Sequence, residues 1–266
     1  MKQKTIFVLL ALIISTKSYA SPLDDYFQQF RNRIEQEIKE FVLVSGWSSN
    51  FRGLSPASSL GVWGFDVGVE LTSLPQNAFH LAGQDLSLPS FFPRVTLAKG
   101  ITPNLDFQSS FLFPQILQGR VDLPEEIKKL IIYGGGLKYT LFHEEESWVS
   151  VAARVSYTRL YLDFFSNEVF GADASLSRSL KIPFTPFQLT PYLGGGYIGT
   201  KGEFKTTFIP FVTTGKHTAE AYRMFGGASL KLFFLDFTGQ VDQSSSRRFS
   251  PIKTYSIKTS INVTSF

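Results

Sequence analysis

The chain has 266 residues and a formal net charge of +4, and 43% of its residues are hydrophobic while only 18% are charged. That apolar content excludes a disordered chain, and the mild, evenly spread charge gives no reason to expect nucleic acid as a partner. Because cysteine is absent, disulfides, thiolate metal sites and cysteine nucleophiles are excluded as well.

Residues 1–20 have the pattern of a secretory signal peptide. Lys2 and Lys4 form a basic start, and an apolar run follows over residues 6–14. Small residues at 18 and 20 suit a cleavage site. The apolar run is too short to span a bilayer. We therefore predict that residues 1–20 are cleaved off during export and do not contribute to the fold.

Residues 21–44 have the pattern of one amphipathic helix. Ser21 and Pro22 supply an N-cap and a first turn, and apolar residues then recur at helical spacing. This apolar stripe consists of Phe27, Phe30, Ile34, Ile38 and Phe41. Residues 45–57 are rich in Ser, Gly and Asn, which is typical of a linker.

Over residues 58–266 the hydrophobic pattern changes to period two. In the first run Phe65, Val67 and Val69 alternate with Asp66 and Gly68, so the two sets face opposite sides of a strand. About ten such runs recur, most of them about 9–12 residues long, which is the length of a strand that crosses a membrane at a tilt.

A soluble sandwich and a transmembrane barrel would both bury one face of these strands, inward in the first case and against lipid in the second. Strand length, aromatic residues near strand ends, and alternating short and long connections favour the barrel. We predict an all-β, transmembrane, antiparallel up-and-down β-barrel of about ten strands, preceded by one amphipathic helix. The residues expected to face lipid include Val67, Val155, Leu230 and Ile257, and those expected to face the lumen include Asp66, Arg154, Ser229 and Lys258.

The signal peptide, the period-two strands over residues 58–266 and a last strand ending in Phe266 together resemble small outer-membrane β-barrel proteins of Gram-negative bacteria. The resemblance implies a place in the outer membrane, contact with its lipid, and recognition of the C-terminal strand by the barrel assembly machinery. Phe266 stands one residue out of phase with the alternation before it, which a β-bulge would restore.

The even strand number places both ends of the barrel on the periplasmic side. The helix at residues 21–44 is therefore expected at the periplasmic end, docked over the opening or on the lipid surface. It is not expected to thread through the lumen, because its Arg/Glu pairs would compete with the charges there.

Charged residues of both signs fall on the predicted inward faces. In a lumen of low dielectric constant such charges must pair or stay hydrated. They could form a salt-bridged closure, a narrow polar pore or a small-ligand site. The lumen-lining candidates are Asp66, Glu70, Arg94, Asp106, Lys138, Arg154, Asp173, Arg223, Lys231, Asp236 and Lys258.

Two other patterns give little support for chemistry. Residues 194–199 match the dinucleotide fingerprint G-x-G-x-x-G, but no helix follows them. His217 with Thr218 and Glu220 could imitate a hydrolase site, whereas His80 and His143 fit solvated loops and turns. We predict a non-enzymatic barrel with no catalytic residues, cofactor or metal, in a structural, narrow-channel or small-ligand-binding role. A lipid- or peptide-hydrolysing outer-membrane enzyme and an exported soluble ligand binder are the alternatives.

Overall fold

The computed structural model describes residues 22–73, 80–81, 84–85, 91–112, 130–163, 165–204, 215–246 and 251–264. The predicted signal peptide at residues 1–20 and the terminal Phe266 lie outside the described residues. Among the residues that are described, no helix has both the length and the apolar character needed to cross a membrane.

One long helix precedes a sheet that closes on itself. Helix α1 spans Pro22–Ser49. The strands are β1 (Phe65–Ser73), β2 (His80–Leu81), β3 (Gln84–Asp85), β4 (Phe91–Gly100), β5 (Leu105–Leu112), β6 (Ile131–Phe142), β7 (Ser150–Tyr161), β8 (Phe165–Ser177), β9 (Leu180–Lys181), β10 (Phe187–Phe204), β11 (Lys216–Leu232), β12 (Leu235–Ser245) and β13 (Lys253–Val263).

The barrel contains every strand except the short β2, β3 and β9. Each strand pairs antiparallel with its neighbours in chain order, and β13 pairs with β1 to close the ring, with Ile261 opposite Val67. β9 adds a short pairing to β10, and β2 and β3 pair with each other. The predicted up-and-down β-barrel of ten strands after one helix is confirmed.

The boundaries of the first elements differ from the prediction. The helix continues to Ser49 instead of ending at residue 44, and the first strand begins at Phe65 instead of near residue 58. The residues between them, predicted as a linker, are largely buried. The contacts that bury them come from strands far along the chain.

The barrel wall alternates as predicted. Val67, Val155, Leu230 and Ile257 are 43%, 57%, 36% and 60% exposed, so they lie on the outer surface. Asp66, Arg154, Ser229 and Lys258 are buried, on the inner side. An apolar outer surface is the reverse of a soluble sandwich or lipocalin, whose apolar face forms the core.

The two ends of the barrel carry different connections. At the end where β1 begins and β13 finishes, here called the turn end, the connections are residues 101–104, 143–149, 178–186 and 233–234. At the opposite end, here called the loop end, they are residues 74–90, 113–130, 162–164, 205–215 and 246–252. The connections at the loop end are on the whole the longer ones.

Candidate functional site

The lumen of the barrel is occupied by the chain itself. Residues 38–60, here called the lumen segment, comprise the last part of α1 (residues 38–49) and an extended part (residues 50–60). Most of their side chains are buried, and their polar groups bond to inward-facing residues of the wall. The prediction that the helix would stay outside the lumen is wrong.

The helical part is enclosed by an apolar cluster. Val42 is 0% exposed and Trp47 is 1% exposed. Aromatic rings surround Phe41, whose ring centroid lies 5.0 Å from that of Phe165 in an edge-on arrangement. Residues from the wall complete the cluster: Phe92, Leu112, Leu130, Ile132, Leu160, Phe165, Val169, Ile198, Phe204 and Ile252.

Asn167 anchors the helical part to the wall by hydrogen bonds. Its side-chain amide donates to the Val42 carbonyl (3.0 Å) and to the Ser45 hydroxyl (2.9 Å), and its carbonyl accepts from the Thr200 hydroxyl (2.7 Å). Gly46 lies so close to β10 that a Cβ added there would stand 2.4 Å from Thr200 Oγ1. The small residue therefore permits the close approach of helix and wall.

The carbonyls around the extended part receive their hydrogen bonds from cations of the wall. This part makes no helical or sheet ladder of its own, so its buried carbonyls require donors from elsewhere. Four inward-facing cations supply them. The pairs are Arg94 Nη1 to Asn50 (2.9 Å), Arg154 Nη1 to Gly53 (2.6 Å), Lys258 Nζ to Leu54 (3.2 Å) and Lys138 Nζ to Ser58 (2.7 Å).

Backbone N–H groups of the same part donate to acceptors on the wall. The pairs are Phe51 to Thr158 Oγ1 (3.0 Å), Ala57 to Ser177 Oγ (3.0 Å) and Leu60 to Asp106 Oδ1 (3.1 Å). Together, the donors and acceptors come from six strands, β4 to β8 and β13. The extended part is thus bound along its length by the wall.

A chain of ion pairs joins the lumen segment to four strands. Asp242 lies 3.5 Å from Arg52 Nε and 2.5 Å from Arg223 Nη2. Arg223 Nη1 also lies 3.5 Å from Asp173, which accepts from Arg154 Nη2 at 2.9 Å. All five side chains expose 6% or less. Each carboxylate in this chain is shared by two cations, which compensates the desolvation of the charges.

The structure places the predicted lumen candidates on the inner side of the wall, most of them in contact with the lumen segment or with one another. The buried ones are Asp66, Glu70, Arg94, Asp106, Lys138, Arg154, Arg223, Asp236 and Lys258. Asp173 belongs to the ion-pair chain above, and the half-buried Lys231 donates to Asn262 and Thr264. Asp66 pairs with Lys258 at 2.7 Å, Asp106 with Lys138 at 3.1 Å, and Asp236 accepts from Ser229 at 2.6 Å.

Sequence reasoning missed the residues that come from the lumen segment and several of its partners on the wall, among them Asn167, Asp242, Thr158 and Ser177. A usable signal was present. The four residues Phe41-Val42-Leu43-Val44 are apolar on all sides of the helix, which is typical of a buried helix. Apolar residues also continue every three or four positions through the predicted linker, at Trp47, Phe51, Leu54, Ala57 and Leu60.

The histidines do not come together with the proposed partners. His217, on β11, packs against the Phe204 ring, with ring centroids 6.3 Å apart. Glu220, also on β11, is exposed and accepts a hydrogen bond from the Tyr197 hydroxyl of β10. His143 Nε2 lies 2.9 Å from Asn104 Oδ1 in a turn. The side chain of His80 lies outside what the structure describes. The glycine run at 194–199 lies within β10, paired on both sides.

A small cavity lies beside the extended part. A cavity of about 30 Å³ lies between Phe51, Leu54, Gln108 and Lys138, which is room for one or two waters. Across the described ranges, no three His, Asp or Glu side chains are grouped in a way that could hold a metal ion.

The chain is similar in structure to bacterial barrels that are known. It resembles the N-terminal β-barrel domain of Pseudomonas aeruginosa OprF over 73% of this chain and 96% of the other, at 12% identity and a TM-score of 0.35. It resembles the Yersinia pestis outer membrane protein Ail over 75% and 99%, at 12% identity and a TM-score of 0.31. The Acinetobacter baumannii outer membrane protein Omp33 matches over 76% and 99%, at 10% identity and a TM-score of 0.31.

These proteins are of the class that the sequence resembles, small outer-membrane barrels. At such low identities and TM-scores the likeness carries no argument about this chain, so the barrel and the arrangement of its lumen rest on the contacts of the chain alone. No known family profile matches the chain, and neither does any curated protein.

Proposed function

We propose that this protein is a non-enzymatic, integral β-barrel of the bacterial outer membrane whose lumen is closed by its own residues 38–60. Its role is then that of a membrane scaffold and not of a channel. The observation that carries the proposal is the lumen segment, whose backbone groups are bonded to the inward-facing side chains of the wall.

The outer surface supports insertion into lipid. Val69, Leu137 and Ile257 are 51%, 45% and 60% exposed on strands that pair around a closed ring. An apolar surface that surrounds the whole barrel is far larger than the patches that soluble monomers tolerate. Contact with membrane lipid removes this surface from water, and lipid is therefore the principal partner that we propose.

The filling of the lumen argues against conduction. A pore needs a continuous hydrated path, and here the polar groups that could line one are bonded to the lumen segment or to each other. Opening the path would break those bonds and expose the apolar cluster around residues 38–49 to water, which is unfavourable. A selective pore would also present one dominant sign of charge, whereas acids and bases alternate here.

Two measurements test the proposal. Purified protein in planar bilayers is expected to show no steady conductance, and large regular steps would contradict the closed lumen. For insertion, Val155→Arg places a charge on the outer surface midway along β7 and is expected to cost about 2–4 kcal/mol of stability in the membrane.

The matched control for insertion is Glu145→Arg, in an exposed turn, which is expected to leave stability unchanged. Both variants are compared by urea unfolding in detergent or lipid and by recovery in the outer-membrane fraction. Equal tolerance of the two substitutions would mean that Val155 does not face lipid, and the barrel would not be a membrane protein of this kind.

A further inference from the structure

The lumen segment joins opposite ends of the barrel. Around Val42, the contacts come from strand residues beside the loop end: Asn167 near the start of β8 and Thr200 near the end of β10. The Leu60 N–H donates to Asp106 near the start of β5, at the turn end. The chain therefore runs through the barrel from the loop end to the turn end before β1 begins.

The first part of α1 lies beyond the loop end. Residues 22–37, here called the arm, would extend about 24 Å at roughly 1.5 Å per residue. Its described side chains are mostly exposed, whereas Ile38 is 4% exposed and begins the buried part. The helix packs against β8, β10 and β11 and lies against the β2 segment of the first loop-end connection.

The sidedness of the barrel follows from its connections. Outer-membrane barrels have short periplasmic turns and longer outer loops. Residues 101–104 and 233–234 are short connections at the turn end, whereas residues 74–90 and 113–130 are long connections at the loop end. By this rule the loop end faces the cell exterior, and the turn end faces the periplasm.

We propose that this barrel holds its N-terminal arm, residues 22–37, on the outer face of the outer membrane, with the chain crossing that membrane through the barrel's own lumen. The inference rests on the proposed insertion and closed lumen, and it adds a function: the display of an N-terminal helix outside the cell. The arm and the end of β13 then lie on opposite sides of the membrane.

The contacts fix the direction of this passage. The helical part has its apolar neighbours at the loop end, and the extended part has its four cationic donors further down the wall. Reversing the segment would bring Val42 and Trp47 among those charges and would place the carbonyls of residues 50–58 in an apolar cluster. In both places buried polar groups would lose their hydrogen-bond partners, so only the observed direction pairs the polar groups of the wall with those of the segment.

Single cysteines can test the proposal because the natural chain has none. Gln29→Cys marks the arm, Asp163→Cys marks the loop end, and Glu145→Cys marks the turn end; all three positions are exposed. Each variant is expressed in full length and treated with a membrane-impermeant maleimide, on intact cells and after lysis. A periplasmic protein with a free thiol must stay unlabelled in intact cells as a check of membrane integrity.

We expect Gln29→Cys and Asp163→Cys to be labelled in intact cells as fully as after lysis, and Glu145→Cys to be labelled only after lysis. Labelling of Asp163→Cys without Gln29→Cys would overturn the proposal, because the arm would then not be outside. Labelling of Glu145→Cys without Asp163→Cys would also overturn it, with the barrel inserted in the opposite sense. If none of the three is labelled before lysis, the proposed outer-membrane insertion fails as well.

Discussion

The helical and extended parts of the lumen segment are held by different means. Residues 38–49 satisfy their own backbone within α1, and the wall around them is apolar, with Phe165 and Ile132 both 0% exposed. Residues 50–60 have no such ladder, and the wall around them carries charges of both signs, with Arg94 and Lys138 donating to carbonyls. The secondary structure of each part of the lumen segment thus determines whether the wall beside it must supply apolar side chains or hydrogen-bond donors.

This comparison changes the meaning of the inward charges. In a barrel without a lumen segment, acids and bases on the inner wall would suggest the lining of a pore or a set of ion pairs between wall residues. Here the cations bridge two kinds of acceptor, as Lys138 does between Asp106 and the Ser58 carbonyl. The acids hold these cations in place and also accept from backbone N–H groups, as Asp106 does from Leu60. The charges therefore bind an extended peptide.

The largest expected effect is in the helical part. Trp47→Ala removes a side chain that is 1% exposed and leaves a cavity inside the apolar cluster, so it should lower the free energy of unfolding by about 3–5 kcal/mol. Urea unfolding of the folded barrel in detergent measures this. Trp148→Ala is the control, since Trp148 is 74% exposed and its contact with Arg178 is expected to contribute about 1 kcal/mol or less.

In the extended part, Lys138→Met should lower the free energy of unfolding by about 3 kcal/mol. This is the lower end of the range of about 3–5 kcal/mol that is typical for removing one partner of a buried ion pair. The methionine fills a similar volume but leaves the Pro56 and Ser58 carbonyls without their donor. Asp106 keeps Ser59 and Leu60 as donors, which limits the loss.

The control for this substitution is Lys253→Met, an exposed position at the start of β13, where a change within about 0.5 kcal/mol is expected. If Lys138→Met and Lys253→Met unfold at the same urea concentration, the wall cations do not bind the extended part, and the contrast between the two parts of the segment is lost.

The sequence predicted which residues of the barrel wall face inward and outward far better than it predicted the lumen segment. Strand alternation is a local property, so Val67 and Asp66 reveal their faces from their immediate neighbours. The filling depends on pairs that are distant in sequence: Phe51 bonds to Thr158, and Lys258 bonds to Leu54. No periodicity within a segment can encode such pairs, and a Ser- and Gly-rich composition suits a solvated linker as well as a peptide bound by a polar wall.

A smaller effect is expected from the hydrogen bonds that join the helical part to the wall. Asn167→Ala removes the bonds to Val42 and Ser45 and takes one of two acceptors from the Thr200 hydroxyl, which keeps the Val42 carbonyl, at a cost of about 1–3 kcal/mol. Asn32→Ala, on the exposed arm, is the control and should be neutral or slightly stabilising because alanine favours helix. Equal unfolding midpoints would show that apolar packing alone holds the helical part.

The smallest effect lies where the arm meets the lumen segment, on the solvated side of the helix. Glu35 accepts from Lys39 at 2.6 Å, and the Lys39 ammonium holds the pKa of the Glu35 carboxyl below its usual range. Both side chains are partly solvated, at 51% and 32% exposure, so water and salt screen the pair. Because the pKa is lowered in the folded state, the stabilisation is present above the ordinary carboxyl pKa and is lost as the pH falls through the folded-state pKa.

Lys39→Met should therefore raise the Glu35 pKa towards its ordinary value, as followed by NMR titration of carboxyl-labelled glutamate, while Lys39→Arg should keep it low. The change in unfolding free energy at neutral pH should stay below about 0.5 kcal/mol, the size of a solvated pair one helical turn apart. A loss of several kcal/mol would place this turn inside the enclosed region, and the boundary between arm and lumen segment at residue 38 would have to move towards the N-terminus. An unchanged Glu35 titration would mean instead that the arm's surface pair does not form in solution.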